Sequence, residues 1–235
     1  MSRPADLQVL DDPGASAARL LAEAAGGGGQ IALTGGSTPR SAYERAAAAD
    51  AEWSRTTLWW GDERCVPPDD ELSNYALARE TLLDAIAGAA PEVHRMRGEL
   101  GPHEGASAYE AELHEVFGAG MPEFDLVLLG MGADGHCASL FPGQPTLDED
   151  VRLVVGVEQA GAEPYVPRIS LTLPVINAAR QVVFLVTGED KADAVARAFE
   201  ADPGPHTPAS LVTPASGRLV ALLDRAAASR LRELA

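Results

Sequence analysis

Asp134 and His136 place a carboxylate and an imidazole two residues apart in a glycine-rich segment, residues 130–143, which reads GMGADGHCASLFPG. Glycine lets the backbone turn sharply and approach a ligand closely. An unperturbed imidazole titrates at roughly pH 6.5, so it can take a proton from water near neutrality. The segment therefore indicates proton-transfer chemistry, with His136 as the base and Asp134 in a supporting role. A histidine that serves only as a structural hydrogen-bonding group is the alternative.

The residues before this segment predict a buried strand. Residues 124–129 read FDLVLL, and such an apolar run is typical of a strand that is covered on both faces of a parallel sheet. Open α/β sheets bind small molecules beyond the carboxyl ends of their strands. We therefore expect Asp134 and His136 to lie at a small-molecule site.

A second strand-to-helix junction, residues 35–40, has the composition of an anion-binding loop. Ser37 or Thr38 can cap the following helix, and Pro39 suits its first turn. Free amides at a helix start face a bound phosphate, although an ordinary capped helix is the alternative. No Gly-Lys-Ser/Thr follows, so the loop is not a Walker A motif. The candidate substrate-binding residues in this loop are Gly35, Gly36, Ser37 and Thr38.

A third junction, residues 61–64, puts charges directly after the apolar run Thr57–Trp60. Arg64 is a candidate for binding phosphate or for stabilising an oxyanion. Asp62 is a candidate for binding substrate hydroxyls or for orienting another side chain. Solvated loop charges would be the alternative explanation.

The fourth junction, residues 188–191, contains Lys191, the only lysine beside seventeen arginines. An ammonium is a compact point charge, unlike a planar guanidinium. Acidic residues, rather than a lysine, suit the start of a helix, so Lys191 points either to solvent or to an anion. Arg168, ahead of the strand-like residues 169–173, is a second candidate anchor. Because the carboxyl ends of parallel strands share one edge, the four junctions are expected to converge on one crevice.

Cofactor sites fit the sequence less well. The glycines of the 130–143 segment match G-x-G-x-x-G, a dinucleotide signature. However, Pro142 leaves little room for the long helix that this motif requires. Cys65 and Cys137 show no closely spaced zinc-ligand pattern with each other or with the nearby acids. We expect no dinucleotide, no metal and no other cofactor, and we expect both cysteines to be free thiols.

Composition limits the class of protein further. The chain has 235 residues, of which 46% are hydrophobic, and residues 1–235 are predicted to form a single α/β domain. A net charge of −17 and a pI near 4.6 argue against nucleic acid and anionic membranes as partners. No 18-residue apolar run occurs, and residues 1–6 lack the apolar core of a signal peptide, so a cytoplasmic location is expected.

Alternating helical and strand-like segments predict a mostly parallel sheet flanked by helices. Strands are predicted at residues 7–10, 31–34, 57–60, 125–129, 152–155, 169–173, 182–186 and 219–223. Helices are predicted at residues 15–25, 40–49, 73–86, 104–117, 190–199 and after residue 224.

With these residues assembled, the chain resembles the 6-phosphogluconolactonases. The matching blocks lie at residues 33–39, 61–64, 73–75, 130–143, 167–172, 176–177 and 188–191. The resemblance implies a Rossmann-like α/β fold shared with glucosamine-6-phosphate deaminases. It also implies hydrolysis of 6-phospho-D-glucono-1,5-lactone in the oxidative pentose phosphate pathway.

By position, the resemblance makes His136 the catalytic base and makes Asp62 and Arg64 active-site residues. It assigns the phosphate to residues 35–38 together with Arg168 and Lys191. The expected partner is therefore a small sugar-phosphate lactone, and the expected assembly is a monomer or weak homo-oligomer.

Two positions distinguish branches of this family. In the deaminase branch the Asp-Gly-His block continues to a Phe-Asn-Glu whose glutamate takes part in acid–base chemistry, whereas this chain has Phe141 at that position. This favours a lactonase over a deaminase or isomerase. Cys137 stands where lactonases usually have threonine. A non-catalytic sugar-phosphate sensor is a further alternative, although the chain has no basic helix-turn-helix segment as an output module.

Overall fold

A computed structural model describes residues 5–232, so residues 1–4 and 233–235 of the predicted domain lie outside the described residues. The strands are β1 (Asp6–Val9), β2 (Gln30–Leu33), β3 (Thr57–Trp60), β4 (Asp62–Arg64), β5 (Glu92–Val93), β6 (Leu126–Leu129), β7 (Val154–Val157), β8 (Arg168–Leu171), β9 (Gln181–Val186) and β10 (Arg218–Leu223). The α-helices are α1 (Pro13–Gly26), α2 (Arg40–Ala48), α3 (Asn74–Thr81), α4 (Pro102–Phe117), α5 (Leu173–Asn177) and α6 (Ala192–Glu200).

Seven strands form a parallel sheet in the order β1-β10-β9-β6-β2-β3-β5. From β2 the chain adds β3 and β5 in one direction, and from β6 it adds β9 and β10 in the other. The boundary between β2 and β6 is therefore the point where strand order reverses, and ligands bind at such switch points. The predicted mostly parallel α/β sheet is confirmed.

The centre of this sheet consists of the continuous apolar runs that predicted buried strands. Every residue of β3 and of β6 is buried, as expected for strands covered by helices on both faces. Helix α1 begins where Asp12 accepts a hydrogen bond from the amide of Ala15, with Pro13 in its first turn. No helix within residues 5–232 is long and apolar enough to cross a membrane.

A second sheet was not predicted. Strand β4 pairs antiparallel with β8, which pairs antiparallel with β7. The 61–64 junction therefore leads into a strand, and the prediction of a strand-to-helix connection there was wrong. The pairing joins residues more than 100 positions apart, Asp62 with Ser170 and Arg64 with Arg168, and local sequence carries no signal for it. Its consequence is that the backbones carrying Asp62 and Arg168 lie on adjacent strands.

The helix predicted after Asp224 is also absent from the described residues, where 225–230 form turns. The Asp224 carboxylate accepts hydrogen bonds from the amides of Ala227 and Gly188. After it, one backbone bond of four-residue spacing is followed by bonds of three-residue spacing, so no regular α-helix propagates. Asp224 instead ties the chain end to the 188–191 junction.

Candidate active site

A crevice of about 220 Å³ opens at the carboxyl edge of the parallel sheet, next to the boundary between β2 and β6. All four predicted junctions contribute to it. Its lining includes Gly35, Gly36, Ser37, Thr38, Asp62, Arg64, Gly130, Gly132, His136, Arg168 and Lys191. Pockets for drug-sized ligands occupy roughly 300–1,000 Å³, so this crevice suits a compact ligand better than a dinucleotide. The predicted convergence of the junctions is confirmed.

His136 lies in this crevice with one ring nitrogen engaged. Its Nδ1 is 2.6 Å from Oδ1 of Asp134, which also accepts the backbone amide of His136. Partial burial raises the pKa of Asp134, but the hydrogen bonds that the carboxylate accepts and the neighbouring imidazole together lower it more, so the net pKa lies below the usual range. An ionised carboxylate only accepts hydrogen bonds, so the imidazole proton belongs on Nδ1. When the ring is neutral, its lone pair is therefore on Nε2.

The glycines of this segment allow the ring to come close to the backbone. A Cβ atom at Gly132 would lie 2.1 Å from Nδ1 of His136 and 2.5 Å from Oδ1 of Asp134. The amide of Gly132 also donates to the carbonyl of His136 at 2.9 Å. The turn therefore closes only if position 132 has no side chain.

The 35–38 loop reaches the crevice but does not cap α2 as predicted. Pro39 occupies the N-cap, and within the described residues no side chain caps this helix. The prediction that Ser37 or Thr38 caps the helix was therefore wrong. A Cβ atom at Gly35 would lie 1.7 Å from Oδ1 of Asn74, so the loop requires glycine there for close packing. The loop amides and hydroxyls remain available for a ligand at the crevice wall.

Asp62 is buried beneath the crevice and contacts other side chains. Its Oδ2 accepts the hydroxyl of Ser139 at 2.6 Å, and its Oδ1 accepts the side-chain amide of Asn74 at 3.2 Å. The guanidinium of Arg168 approaches Oδ2 at 3.9 Å. Asp62 therefore contacts three side chains around the crevice, and both of its predicted roles stay predictions.

Arg168 is almost fully buried, and backbone carbonyls hold it. Its guanidinium donates to the carbonyls of Pro164 at 2.8 Å and Val166 at 3.2 Å. It also lies 5.9 Å from the centre of the Phe141 ring. Burial lowers the pKa of Arg168, while the Asp62 carboxylate favours its charged form. Arg168 thus supplies a fixed positive charge to the crevice wall.

Arg64 and Asn74 carry buried polar atoms that no group in the described residues satisfies. Nη1 of Arg64 donates to the carbonyl of Leu72, but its Nε has no partner, and neither has Oδ1 of Asn74. Glu63 fixes Asn74 by accepting its backbone amide at 2.7 Å. Arg64 and Asn74 both line the crevice, and buried polar atoms without a partner are uncommon in folded proteins.

Sequence reasoning missed Asn74 and Glu163 as crevice residues. Asn74 was within a matching block, residues 73–75, but nothing local indicated that its side chain faces Gly35. Glu163 precedes a loop proline and carries no motif. Both residues lie at the crevice because the fold brings them next to residues that are distant in the sequence.

Lys191 stands at the N-cap of α6 and lines the same crevice as Arg64 and Asn74. Its Nζ is 3.0 Å from Oδ2 of Asp190, and the side chain is about one quarter exposed. Lys191 therefore lines the crevice while its ammonium pairs with Asp190, and its predicted direction toward a bound anion stays a prediction.

Cys137 is a free, buried thiol in the hydrophobic core, and Cys65 is also free, as predicted. Burial raises the pKa of Cys137 to about 12, so the thiol stays protonated. Its side chain acts as a small packing group.

The parallel sheet, the crevice at its switch point and the imidazole–carboxylate pair define a doubly wound α/β protein with a small-ligand site. A model of the glucosamine-6-phosphate isomerases/6-phosphogluconolactonase family matches residues 11–221. The chain belongs to this family. The 6-phosphogluconolactonase of Streptomyces coelicolor is 42% identical to it over 235 residues, covering 92% of this chain and 89% of that protein.

Solved structures agree with the fold. The 6-phosphogluconolactonase of Trypanosoma brucei matches with a TM-score of 0.83 at 30% identity, over 99% of this chain and 100% of the other. A monomeric glucosamine-6-phosphate deaminase matches with a TM-score of 0.80 at 19% identity, over 97% of this chain and 100% of the other. The predicted family and the deaminase-like architecture are therefore confirmed.

Replacement of Gly132 tests the His136–Asp134 geometry. In Gly132→Ala the new methyl group displaces the imidazole, so the Nδ1 hydrogen bond should break. We expect the ¹⁵N NMR signals of the His136 ring to lose the pattern of a proton held on Nδ1. The control is Gly130→Ala, whose Cβ would meet nothing closer than Thr34 Oγ1 at 4.0 Å. Unchanged ring signals in Gly132→Ala would contradict the geometry.

Proposed function

We propose that this protein hydrolyses 6-phospho-D-glucono-1,5-lactone to 6-phospho-D-gluconate, a step of the oxidative pentose phosphate pathway. The observation that carries the proposal is the His136–Asp134 pair, which leaves Nε2 as a base in a crevice that also contains cationic side chains. The names of the relatives, 6-phosphogluconolactonases from Streptomyces coelicolor and Trypanosoma brucei, support the same substrate.

The proposed reaction needs one base and one oxyanion-binding group, because a lactone is an activated ester. Neutral His136 takes a proton from water at Nε2 while the water oxygen attacks the lactone carbonyl carbon. The carbonyl carbon becomes tetrahedral and its oxygen becomes an oxyanion, which the guanidinium of Arg64, a residue of the crevice lining, is proposed to stabilise. Collapse breaks the bond between this carbon and the ring oxygen. The His136 imidazolium then returns its proton to that oxygen, which leaves the open-chain acid.

Asp134 supports this cycle as a positioning residue. Its carboxylate holds the imidazole in the tautomer with a proton on Nδ1, and it stabilises the imidazolium that forms during attack. Because the pKa of Asp134 is held below the usual range, the carboxylate remains ionised while His136 exchanges protons.

Substrate would be held through its phosphate by the 35–38 loop, with Arg168 and Lys191 as cations. Anchoring the phosphate would fix the reacting carbon relative to His136, and positioning of this kind contributes several kcal/mol to catalysis, about 7–11 in the best cases. The fixed Arg168 guanidinium and the more exposed Lys191 ammonium suit a dianionic group.

Phe141 argues against the deaminase chemistry of the same family. Its ring is buried and packs against the imidazole of His136 with the ring centres 4.8 Å apart. An apolar ring at that place supplies no acid–base group. Release of ammonia from glucosamine 6-phosphate would support the deaminase alternative, and tight binding of 6-phospho-D-gluconate without turnover would support a sensor.

A coupled assay tests the activity. A glucose-6-phosphate dehydrogenase generates the lactone in place, and its loss is followed against the spontaneous background. We expect wild-type protein to accelerate the loss in proportion to its concentration. A rate equal to the background at every protein concentration would refute the proposed reaction.

The same assay tests His136. We expect His136→Gln to lower kcat by about 10² to 10⁴, the usual contribution of a general base. Its affinity for 6-phospho-D-gluconate, measured by calorimetry, should stay within about threefold of wild type because the phosphate anchors are intact. The control is His103→Gln, which alters an exposed histidine outside the crevice. A kcat near that of wild type in His136→Gln would remove this residue from the mechanism.

Substitution of Lys191 distinguishes a role in substrate binding from a role in the chemical step. Lys191→Met should raise KM by about tenfold or more while kcat changes little, because the ammonium is proposed to bind the phosphate before and during the reaction alike. Lys191→Arg should recover part of the affinity. Arg230→Met is the matched control, since it removes an equal charge from an exposed position outside the crevice. An unchanged KM in Lys191→Met would exclude Lys191 from the phosphate site.

A further inference from the structure

Two buried tyrosines each bind both backbone polar groups of a single residue at a strand end. The hydroxyl of Tyr43, on α2, accepts the amide of Thr34 at 2.9 Å and donates to its carbonyl at 2.6 Å. The hydroxyl of Tyr109, on α4, accepts the amide of Trp60 at 2.8 Å and donates to its carbonyl at 3.2 Å. A phenol hydroxyl can donate and accept at once.

The two residues stand where strand pairing stops. Pairing of β2 with β6 ends at Ala32, and pairing of β3 with β5 ends at Leu58. The backbone amide and carbonyl of residues i and i+2 of a strand point toward the same neighbouring strand. The carbonyl of Gln30 accepts the amide of Asp125, and the carbonyl of Leu58 accepts the amide of His94. Thr34 and Trp60 are therefore the next positions that would have bonded to the neighbouring strand. Each tyrosine hydroxyl instead supplies the hydrogen-bond partners that the neighbouring strand no longer provides.

The hydrogen bonds of the Tyr43 hydroxyl matter for stability because both residues are buried. Tyr43 is fully buried and Thr34 nearly so, and without the hydroxyl the amide and carbonyl of Thr34 would be left without these partners away from water. Burial also raises the pKa of Tyr43, so the hydroxyl keeps the proton that it donates.

Thr34 directly precedes Gly35 and itself lines the crevice. The 35–38 loop that follows takes part in neither of the two sheets. We propose that Tyr43 is a positioning residue, which fixes the start of the 35–38 loop and so places its amides for the substrate phosphate. The proposal rests on the phosphate site of the proposed function.

Tyr109 provides a matched control within the same chain. It makes the same two bonds, but the residues after Trp60 are held independently. The carbonyl of Gly61 accepts the amide of Leu171, and Asp62 pairs with Ser170 of β8. Loss of the Tyr109 hydroxyl should therefore destabilise the fold without moving a ligand-binding loop.

The experiment compares Tyr43→Phe with Tyr109→Phe. Each variant loses one hydroxyl with two bonds, so the Tm of both should fall. In Tyr43→Phe, the Kd for 6-phospho-D-gluconate, measured by calorimetry well below the Tm, should rise about tenfold. Its kcat should stay within about threefold of wild type, and amide hydrogen exchange should accelerate in the peptide spanning residues 33–39. In Tyr109→Phe, the Kd should change by less than about threefold, with no acceleration in that peptide.

Each result decides the proposal. An unchanged Kd in Tyr43→Phe, or an equal rise in both variants, would overturn the positioning role. If wild type hydrolyses the lactone and Tyr43→Phe binds normally, only the positioning role fails. If wild type binds 6-phospho-D-gluconate without hydrolysing the lactone and Tyr43→Phe binds it more weakly, only the proposed reaction fails. No binding by wild type would overturn the phosphate site and the positioning role together.

Discussion

Beyond Ala32 and Val127, strands β2 and β6 no longer pair, and this separation is the constraint on which the rest of the site depends. The chain leaves the two strands in opposite directions, which opens a crevice at their carboxyl ends. Backbone groups that lose their strand partners there need other ones. The Tyr43 hydroxyl satisfies Thr34, and the loop that follows is left free to meet a ligand.

The crevice contains several positively charged side chains although the molecule as a whole is negatively charged. The chain carries a net charge of −17, yet the crevice lining includes Arg64, Arg168 and Lys191. Asp62 and Asp134 lie next to cationic or ionisable partners, so each carboxylate orients a neighbour. Such an arrangement suits an anionic substrate, because the local field at a crevice, more than the net charge, determines what binds there.

The sequence predicted the features that depend on local pattern. Continuous apolar runs located β3 and β6, and the rule that parallel strands end at one edge brought the four junctions together. Other features depend on contacts between distant residues. Asp62 lies on β4, which pairs with the distant β8, and Gly35 packs closely against the side chain of Asn74, but neither contact leaves a local signal. The turns after Asp224 escaped prediction because its carboxylate bonds to Gly188, a partner 36 positions away.

In the proposed reaction, one end of the crevice holds a phosphate and the other presents His136 to the reacting carbon. A crystal structure of the complex with 6-phospho-D-gluconate would show both placements. We expect the phosphate within hydrogen-bonding distance of the 35–38 amides and near Lys191, with the carboxylate carbon of the product facing Nε2 of His136. A phosphate bound beside His136, or a product bound outside the crevice, would contradict these placements.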